Sequence, residues 1–184
     1  MINHILFKFT NLKIIMSQKT FNVLFICTGN SARSIIAEAL LQRLGSGRFM
    51  AFSAGSIPRG KVNPFAIELL NANNFKTNAF RSKSWDEFAG ADAPILDFVF
   101  TVCGRAANET CPIWNGQAMS AHWGVDDPDQ SNLSDDEQRR LFQKAYQTLE
   151  HRIKMFIQLP LDNIDKSVLQ KELEKIGNAA PKQS

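Results

Sequence analysis

The first clear pattern in the chain is an apolar run followed by a polar loop and then by an amphipathic stretch. Residues 21–26 are mostly apolar, include β-branched members and are too few for a helix, which predicts a strand buried on both faces. Beyond the loop, large apolar residues recur every fourth position from Ile36 to Leu44, and Gly45 follows as a helix stop signal. The pattern predicts a strand that leads directly into a helix over residues 34–45.

Three further short apolar runs have the composition of strands and are separated by helical signals. Asn63 before Pro64 is typical of a helix start. Ser134 and Glu137 have the spacing of a capping box, which predicts a long helix that ends near residue 158. Strands separated by helices or long crossovers form parallel sheets with right-handed connections. We therefore expect an α/β protein with a flavodoxin-like three-layer fold, in which a four-stranded parallel sheet has helices on both faces. The remaining predicted elements are strands over 48–54, 97–103 and 118–123, a short helical segment over 84–88 and a last helix within 161–177.

The loop between the first strand and the first helix has the properties of an anion-binding site. The first amide groups of a helix have no acceptor within the helix, so they point into this loop and can bind a tetrahedral oxyanion. Gly29 allows a close approach of the backbone, and the guanidinium group of Arg33 can bind two anion oxygens at once. The same positive field favours the thiolate form of Cys27, with the Ser34 hydroxyl as a further donor to its sulfur. The alternative is that Cys27 is only a small buried hydrophobic residue at a strand end.

A carboxylic acid that could protonate a leaving oxygen follows the predicted fourth strand, in the sequence Asp126-Asp127-Pro128. Pro128 keeps the residue before it out of helical geometry and stiffens the loop. In parallel sheets, ligands bind beyond the carboxyl ends of the strands, and Cys27, Cys103 and this acidic loop all fall at that edge. Because Asp-Pro is also a common turn sequence, the alternative is an acidic turn before the next helix.

The composition is that of one globular domain. The chain has 184 residues, of which 44% are hydrophobic, enough for one buried core and too few for two domains. The net charge of +3 owes part of its excess to Lys8 and Lys13, and no basic patch interleaved with aromatic residues remains. We therefore expect no binding to nucleic acids. Three cysteines are too few for a secreted disulfide framework, so we expect a cytoplasmic protein in which a cysteine near a reactive loop is catalytic.

We divide the chain into three segments. Residues 1–19 form a leader that lacks the apolar centre and cleavage site of a signal peptide, and we expect it to be disordered or to precede a true start at Met16. The alternative is a short arm that packs on the protein or touches a membrane. Residues 20–160 form the expected catalytic domain, and residues 161–184 a C-terminal helix with a mobile tail from Asn178. No apolar run approaches the roughly 20 residues that cross a bilayer, so we expect no membrane association.

The anion-binding loop, placed between a buried strand and an amphipathic helix, resembles the phosphate-binding loop of the low-molecular-weight protein tyrosine phosphatase superfamily. Its Thr-Gly-Asn-Ser sequence is most similar to the arsenate reductases of that superfamily, and the similarity extends from about Phe21 to about Leu159. The resemblance implies that Asp127, directly before the proline, is the general acid and that the chain reduces arsenate in arsenic detoxification, with phosphate as a competing anion. It also implies that the anion is held by the C-x5-R loop that comprises Cys27, Thr28, Gly29, Asn30, Ser31, Ala32, Arg33 and Ser34.

The two other cysteines distinguish the two chemistries of the superfamily. The resemblance implies that Cys27 attacks arsenate, that Cys103 then attacks the sulfur of Cys27 while arsenite leaves, and that a Cys103–Cys111 disulfide forms. Thioredoxin, or glutathione with glutaredoxin, then reopens that disulfide as an external thiol reductant, and no cofactor is bound. Seven residues separate Cys103 from Cys111, one more than in the reductases with a three-cysteine relay. The electron donor and the role of Cys111 therefore stay open, and Cys111 can also be a buried bystander.

Two other functions fit the same residues. A phosphotyrosine phosphatase uses the same loop, nucleophile and acid through a cysteinyl-phosphate, but such enzymes usually have tyrosines after the Asp-Pro pair. Here Asp129 and Gln130 follow, and the only tyrosine is Tyr146. A non-enzymatic anion-binding module is the other alternative, although such a module would be expected to have lost the nucleophile, the arginine or the acid. We expect a monomeric enzyme.

Some relatives hold a potassium ion beneath the loop, and the resemblance maps its ligands onto Asn30, Glu38 and Ser53. Near the position of a further carboxylate in those relatives, this chain has Arg81 and Lys83, so we expect a lysine or an arginine instead of a bound metal. The histidines lack the spacing of a zinc site. Asn30 is also expected to adopt a left-handed backbone, as asparagine does in tight turns.

Overall fold

The computed structural model of the chain describes residues 19–107, 109–130 and 132–181. Except for Lys19, the predicted leader lies outside the described residues, and so do the last three residues of the predicted tail. None of the helices in the described ranges is long and apolar enough to cross a membrane.

Four parallel strands form one sheet, as predicted. The strands are β1 (Phe21–Cys27), β2 (Phe49–Gly55), β3 (Phe98–Thr101) and β4 (Met119–His122), and they lie side by side in the order β2-β1-β3-β4. Their pairing is parallel throughout. The last two strands are shorter than predicted because the chain leaves the sheet at their carboxyl ends to form the loops of the candidate site.

In the described part of the chain, five helices surround the sheet. They are α1 (Arg33–Leu44), α2 (Pro64–Ala72), α3 (Gly104–Ala107), α4 (Asp135–Phe156) and α5 (Lys166–Gly177), and a 3₁₀ helix covers Trp85–Phe88. The predicted caps are confirmed, because the Asn63 side chain accepts a hydrogen bond from the Phe65 amide and Ser134 forms a capping box with Glu137. The sequence did not predict α3, whose four residues are too few to show a periodic pattern.

Helices cover both faces of the sheet. Phe49 packs on Phe156 of α4, with ring centroids 5.1 Å apart, and Phe52 packs on Phe88 of the 3₁₀ helix at 5.5 Å. These two residues of β2 point to opposite faces because side chains alternate along a strand. The three-layer arrangement expected from the sequence is therefore confirmed.

The C-terminal helix α5 packs against β4 and is part of the same core. Leu169, Leu173 and Ile176 are buried, and the indole nitrogen of Trp123 donates a hydrogen bond of 3.0 Å to the Leu173 carbonyl. Beyond α5, the Ala179 carbonyl accepts a hydrogen bond from the Arg152 side chain at 3.0 Å. The first residues of the predicted tail are thus attached to α4.

Candidate active site

The predicted anion-binding loop connects the end of β1 to the start of α1. Cys27 is the last residue of β1 and is 3% exposed. Its sulfur lies 3.2 Å from the amide nitrogen of Asn30 and 3.0 Å from the Ser34 hydroxyl. Ala32 is the N-cap of α1, and its side chain has no acceptor for the first helical amides. These amides remain directed into the loop, where they can bind an anion.

Three carbonyl groups of the loop point away from Cys27. Their orientation fixes the direction of the amide groups that follow them in the chain. The Thr28, Gly29 and Ser31 oxygens accept hydrogen bonds from the segment after β2 at 2.9, 3.0 and 2.8 Å. In a trans peptide the next N–H points opposite to the carbonyl, so the following amides point toward the inside of the loop. The Asn30 amide, which follows the Gly29 carbonyl, donates to the sulfur in agreement with this geometry.

Asn30 supports the loop from below. Its φ is +40°, which confirms the predicted left-handed backbone. Its side-chain nitrogen donates to the Ser34 hydroxyl at 2.8 Å and to the Ser53 hydroxyl at 2.9 Å, and its oxygen accepts from the Lys83 amide at 2.8 Å. Because the Ser34 oxygen accepts from Asn30, its own hydrogen is available to the Cys27 sulfur. Asn30 therefore orients a donor to the sulfur of Cys27.

Gly55, at the end of β2, lets the loop pack directly on the strand. A β-carbon at Gly55 would lie 2.6 Å from the Thr28 carbonyl oxygen and 2.9 Å from the Asn30 nitrogen. Any side chain here would therefore displace the backbone of the loop. At Gly29, by contrast, the nearest atoms to such a β-carbon belong to the Arg59 side chain, at 3.3–3.5 Å.

A buried ion pair lies beneath the loop. The Lys83 ammonium is 3.5 Å from a Glu38 carboxylate oxygen and 3.4 Å from the Ser53 hydroxyl, which itself donates to Glu38 at 2.5 Å. Burial raises the pKa of Glu38, and the positive charge of Lys83 opposes that rise. The other candidate cation, Arg81, pairs instead with Glu87. Of the two, Lys83 occupies the place beneath the loop, and its replacement of a metal ion stays a prediction.

The predicted general acid lies beside the loop. A terminal nitrogen of Arg33 is 2.9 Å from an Asp127 carboxylate oxygen, and the other terminal nitrogen donates to the Val125 carbonyl at 3.0 Å. The Asp129 amide donates to the second Asp127 oxygen at 3.2 Å. The fold thus brings nucleophile, arginine and acid to one cavity of about 270 Å³. That cavity is lined by Cys27, Thr28, Gly29, Ser31, Ala32, Arg33, Ile57, Arg59, Arg105, Asp127 and Asp129.

The second cysteine, Cys103, is also next to the loop. It is 2% exposed and immediately precedes α3. Its sulfur is 3.6 Å from the Thr28 hydroxyl and accepts a hydrogen bond from the Ala106 amide at 3.4 Å. Thr28 directly follows Cys27, so the Cys103 thiol contacts the residue next to Cys27 in the loop.

Comparison with known sequences and structures then identifies the family. A sequence profile described as low molecular weight phosphotyrosine protein phosphatase matches residues 22–174. The chain belongs to this family. Because the match extends beyond Leu159 into α5, the expectation that the last helix lies outside the resemblance is wrong. The helix belongs to the family's fold, as its packing on β4 indicates.

Members of this family with known names include reductases. The arsenate reductase of Bacillus licheniformis is 33% identical over 77% of this chain and 96% of its own length. A solved structure described as an arsenate reductase in the phosphate binding state has a TM-score of 0.61 at 26% identity, and covers 75% of this chain and 97% of its own. The tyrosine phosphatase Wzb of Escherichia coli K30 has a TM-score of 0.55 at 24% identity, over 75% of this chain and 96% of its own, which shows a shared fold.

The third cysteine, Cys111, does not line the cavity of the anion-binding loop. Cys111 is partly buried and lines a different groove, together with Trp114 and His122. Burial raises the pKa of the Cys111 thiol, and the negative charge of Glu109 raises it further. One carboxylate oxygen of Glu109 is itself buried, with no hydrogen-bond partner among the residues that the structure describes.

Four residues that line the cavity were not predicted. Ile57 and Arg59 follow β2, Arg105 follows Cys103, and Asp129 follows the acid. All of them lie beyond the carboxyl ends of strands, which is the signal that could have found them.

Proposed function

We propose that this chain reduces arsenate to arsenite, with Cys27 as the nucleophile and Cys103 as the thiol that releases the product. The observation that carries the proposal is the position of Cys103, whose sulfur is 3.6 Å from the Thr28 hydroxyl in the anion-binding loop. Hydrolysis of a phosphate ester needs one thiol, whereas reduction needs a second thiol to supply electrons. The names of relatives more than 30% identical support the same conclusion.

The first step is the capture and attack of arsenate. The loop amides and the Arg33 guanidinium bind the anion, and the Asn30 amide and the Ser34 hydroxyl contact the sulfur of Cys27. The Cys27 sulfur forms a bond to arsenic(V), and one arsenate oxygen leaves as water with a proton from Asp127. Arg33 contacts Asp127, so the same side chain positions the acid and the anion.

The second step reduces arsenic. The Cys103 thiolate attacks the sulfur of Cys27, and the sulfur–arsenic bond breaks with its electron pair on arsenic. Arsenic leaves as arsenite, and a Cys27–Cys103 disulfide forms. Two thiols are oxidised and arsenic gains two electrons, so the step is balanced.

The last step restores the thiols. Cys111 attacks Cys103 and releases Cys27 as a thiolate, and an external dithiol, thioredoxin or glutaredoxin with glutathione, then reduces the Cys103–Cys111 disulfide. Since Cys111 lines a different groove, α3 must unwind to let the two sulfurs meet. A helix of four residues has few internal hydrogen bonds and can unwind readily.

A phosphotyrosine phosphatase activity is the second candidate. The same loop, thiolate and acid can hydrolyse a phosphate monoester, and the family model that matches the chain is described by that activity. This candidate gives no role to Cys103.

A side-by-side assay tests the proposal. Arsenate-dependent oxidation of NADPH is measured with thioredoxin and its reductase, or with glutathione, glutaredoxin and glutathione reductase, against hydrolysis of p-nitrophenyl phosphate. We expect arsenate turnover with one of the two donor systems, and its loss by orders of magnitude in Cys27→Ser and in Cys103→Ser. If Cys103→Ser keeps arsenate turnover, or if only ester hydrolysis is seen, the proposal is wrong.

A further inference from the structure

We propose that Arg59 and Asp129 form a gate across the mouth of the anion-binding cavity and restrict it to small inorganic oxyanions. This inference rests on the proposed function and names the class of substrate that the site selects. It is carried by an ion pair between a terminal nitrogen of Arg59 and a carboxylate oxygen of Asp129, both of which line the cavity.

The Arg59 side of the gate is fixed to the loop. The Arg59 amide donates to the Gly29 carbonyl at 3.0 Å, and the Ile57 amide donates to the Thr28 carbonyl at 2.9 Å. The Arg59 side chain then passes over Gly29, with its Nε 3.3 Å from where a β-carbon on Gly29 would lie. The backbone of Arg59 is therefore fixed to the anion-binding loop.

The Asp129 side of the gate is fixed to the general acid. The Asp129 amide holds one oxygen of Asp127 at 3.2 Å, while its carboxylate binds Arg59. Arg59 follows β2 and Asp129 follows β4, and these are the two outer strands of the order β2-β1-β3-β4. Since Cys27 ends β1, which lies between them, the ion pair crosses over the cavity rather than lying beside it.

The exposure of the side chains places Arg59 at the mouth. The side chain of Arg59 is 54% exposed, compared with 38% for Asp127, 20% for Asp129 and 12% for Arg33. The cavity beneath the pair, at about 270 Å³, is smaller than the ~300–1,000 Å³ typical of sites for drug-sized ligands.

The gate distinguishes substrates by what is attached to the oxyanion. Arsenate and phosphate carry only oxygen atoms on the arsenic or phosphorus atom, so they fit in the cavity while Arg59 and Asp129 stay paired. A phosphate monoester carries an organic group on one oxygen, and that group must pass through the mouth and separate Arg59 from Asp129. Breaking an exposed ion pair changes a binding equilibrium constant by up to a factor of about 5. The gate therefore weakens the binding of esters and does not prevent it.

Binding measurements on gate variants test the inference without relying on turnover. In the Cys27→Ser background, the affinities of inorganic phosphate and phenyl phosphate are measured by calorimetry for Asp129→Ala, Arg59→Ala and the double variant. We expect the affinity for phenyl phosphate relative to phosphate to rise about fivefold in Asp129→Ala, with phosphate affinity kept or increased because Arg59 is released. Arg59→Ala should raise the same ratio while it weakens both ligands, since a positive charge is lost.

The double variant and a remote control complete the test. If the two residues act as one gate, the double variant shifts the ratio no further than Asp129→Ala alone. Arg139→Ala removes another exposed arginine, which pairs with Glu68 outside the cavity, and should leave the ratio unchanged. An unchanged ratio in Asp129→Ala, or shifts that add in the double variant, overturns the gate.

The same variants separate the gate from the proposed function. If the chain does not reduce arsenate but shows the fivefold shift in binding, the gate is supported and the proposed reaction is wrong. If the chain reduces arsenate but the affinity for phenyl phosphate relative to phosphate does not change, the proposed reaction is supported and the gate is wrong.

Discussion

Removal of Lys83 should destabilise the protein by an amount that depends strongly on pH. Lys83 is 9% exposed and lies 3.5 Å from the carboxylate of Glu38, which is 8% exposed. A buried charge that loses its partner costs about 3–5 kcal/mol if it stays ionised. In Lys83→Met, Glu38 can avoid that cost by keeping its proton, because burial already raises its pKa.

The size of the stability loss in Lys83→Met depends on pH. The unfolded chain releases the Glu38 proton near the ordinary pKa of 4.5. Because the charge of Lys83 opposes the rise that burial causes, its removal leaves Glu38 with a higher pKa in the folded variant than in the folded wild type. Retaining the proton costs about 1.4 kcal/mol for each pH unit above 4.5, so folding stability falls as pH rises through this window. We expect the electrostatic loss to be small at pH 5 and to grow with pH, limited by the roughly 3–5 kcal/mol cost of a buried charge without a partner.

Denaturant unfolding at pH 5 and at pH 7 measures this difference for wild type and Lys83→Met. In Lys83→Met/Glu38→Gln no carboxyl remains at this position beneath the loop, and the loss should no longer change between the two pH values. Lys154→Met is a matched surface control, because Lys154 forms an exposed pair with Glu150 one helical turn away, worth about 0.3–0.5 kcal/mol. A loss in Lys83→Met that is the same at both pH values would refute the reasoning.

Three further predictions concern the loop and the relay. Gly55→Ala should destabilise the protein by about 1–3 kcal/mol and weaken phosphate binding, because its β-carbon meets the Thr28 carbonyl. Calorimetry measures both the unfolding and the phosphate affinity. Gly90→Ala is the control, because a β-carbon at Gly90 meets no atom within 4 Å. Glu109→Gln should lower the pKa of Cys111 and move the acid limb of the pH profile for reductant-dependent turnover to lower pH; an unmoved profile contradicts this. Added potassium, compared with sodium at equal ionic strength, should leave arsenate turnover unchanged if a lysine takes the place of the ion.

The sheet and most helices could be predicted because their signals are local. Buried strands such as β1 are continuous apolar runs, and the helix starts at Asn63 and Ser134 have side chains that cap the backbone in both the sequence pattern and the structure. The prediction for the C-terminal helix failed in one respect. The helix itself was predicted within residues 161–177, but nothing in that segment alone shows that the Leu173 carbonyl accepts a hydrogen bond from the buried Trp123.

The contiguous loop could be predicted, and so could the approach of Asp127 and Cys103 to it, because both follow strands at the same edge of the sheet. Pairings between individual side chains of distant segments could not be predicted. The loop from Cys27 to Ser34 has its geometry encoded by a strand, a turn and a helix, so its structure could be predicted from the sequence. Arg59 and Asp129 are 70 positions apart, and their pairing exists only because β2 and β4 flank the strands between them. Cys111 follows Cys103 closely in sequence, yet α3 places it in another groove.

The most direct test of the account is a single turnover without any external reductant. The fully reduced chain is mixed with excess arsenate, arsenite is quantified, and the disulfides are mapped by mass spectrometry, with Cys103→Ser treated in parallel. The account predicts about one arsenite per chain, the loss of about two thiols and a disulfide that contains Cys103, with no arsenite from Cys103→Ser. Arsenite formation by Cys103→Ser, or wild-type protein that binds arsenate and yields no arsenite, would contradict it.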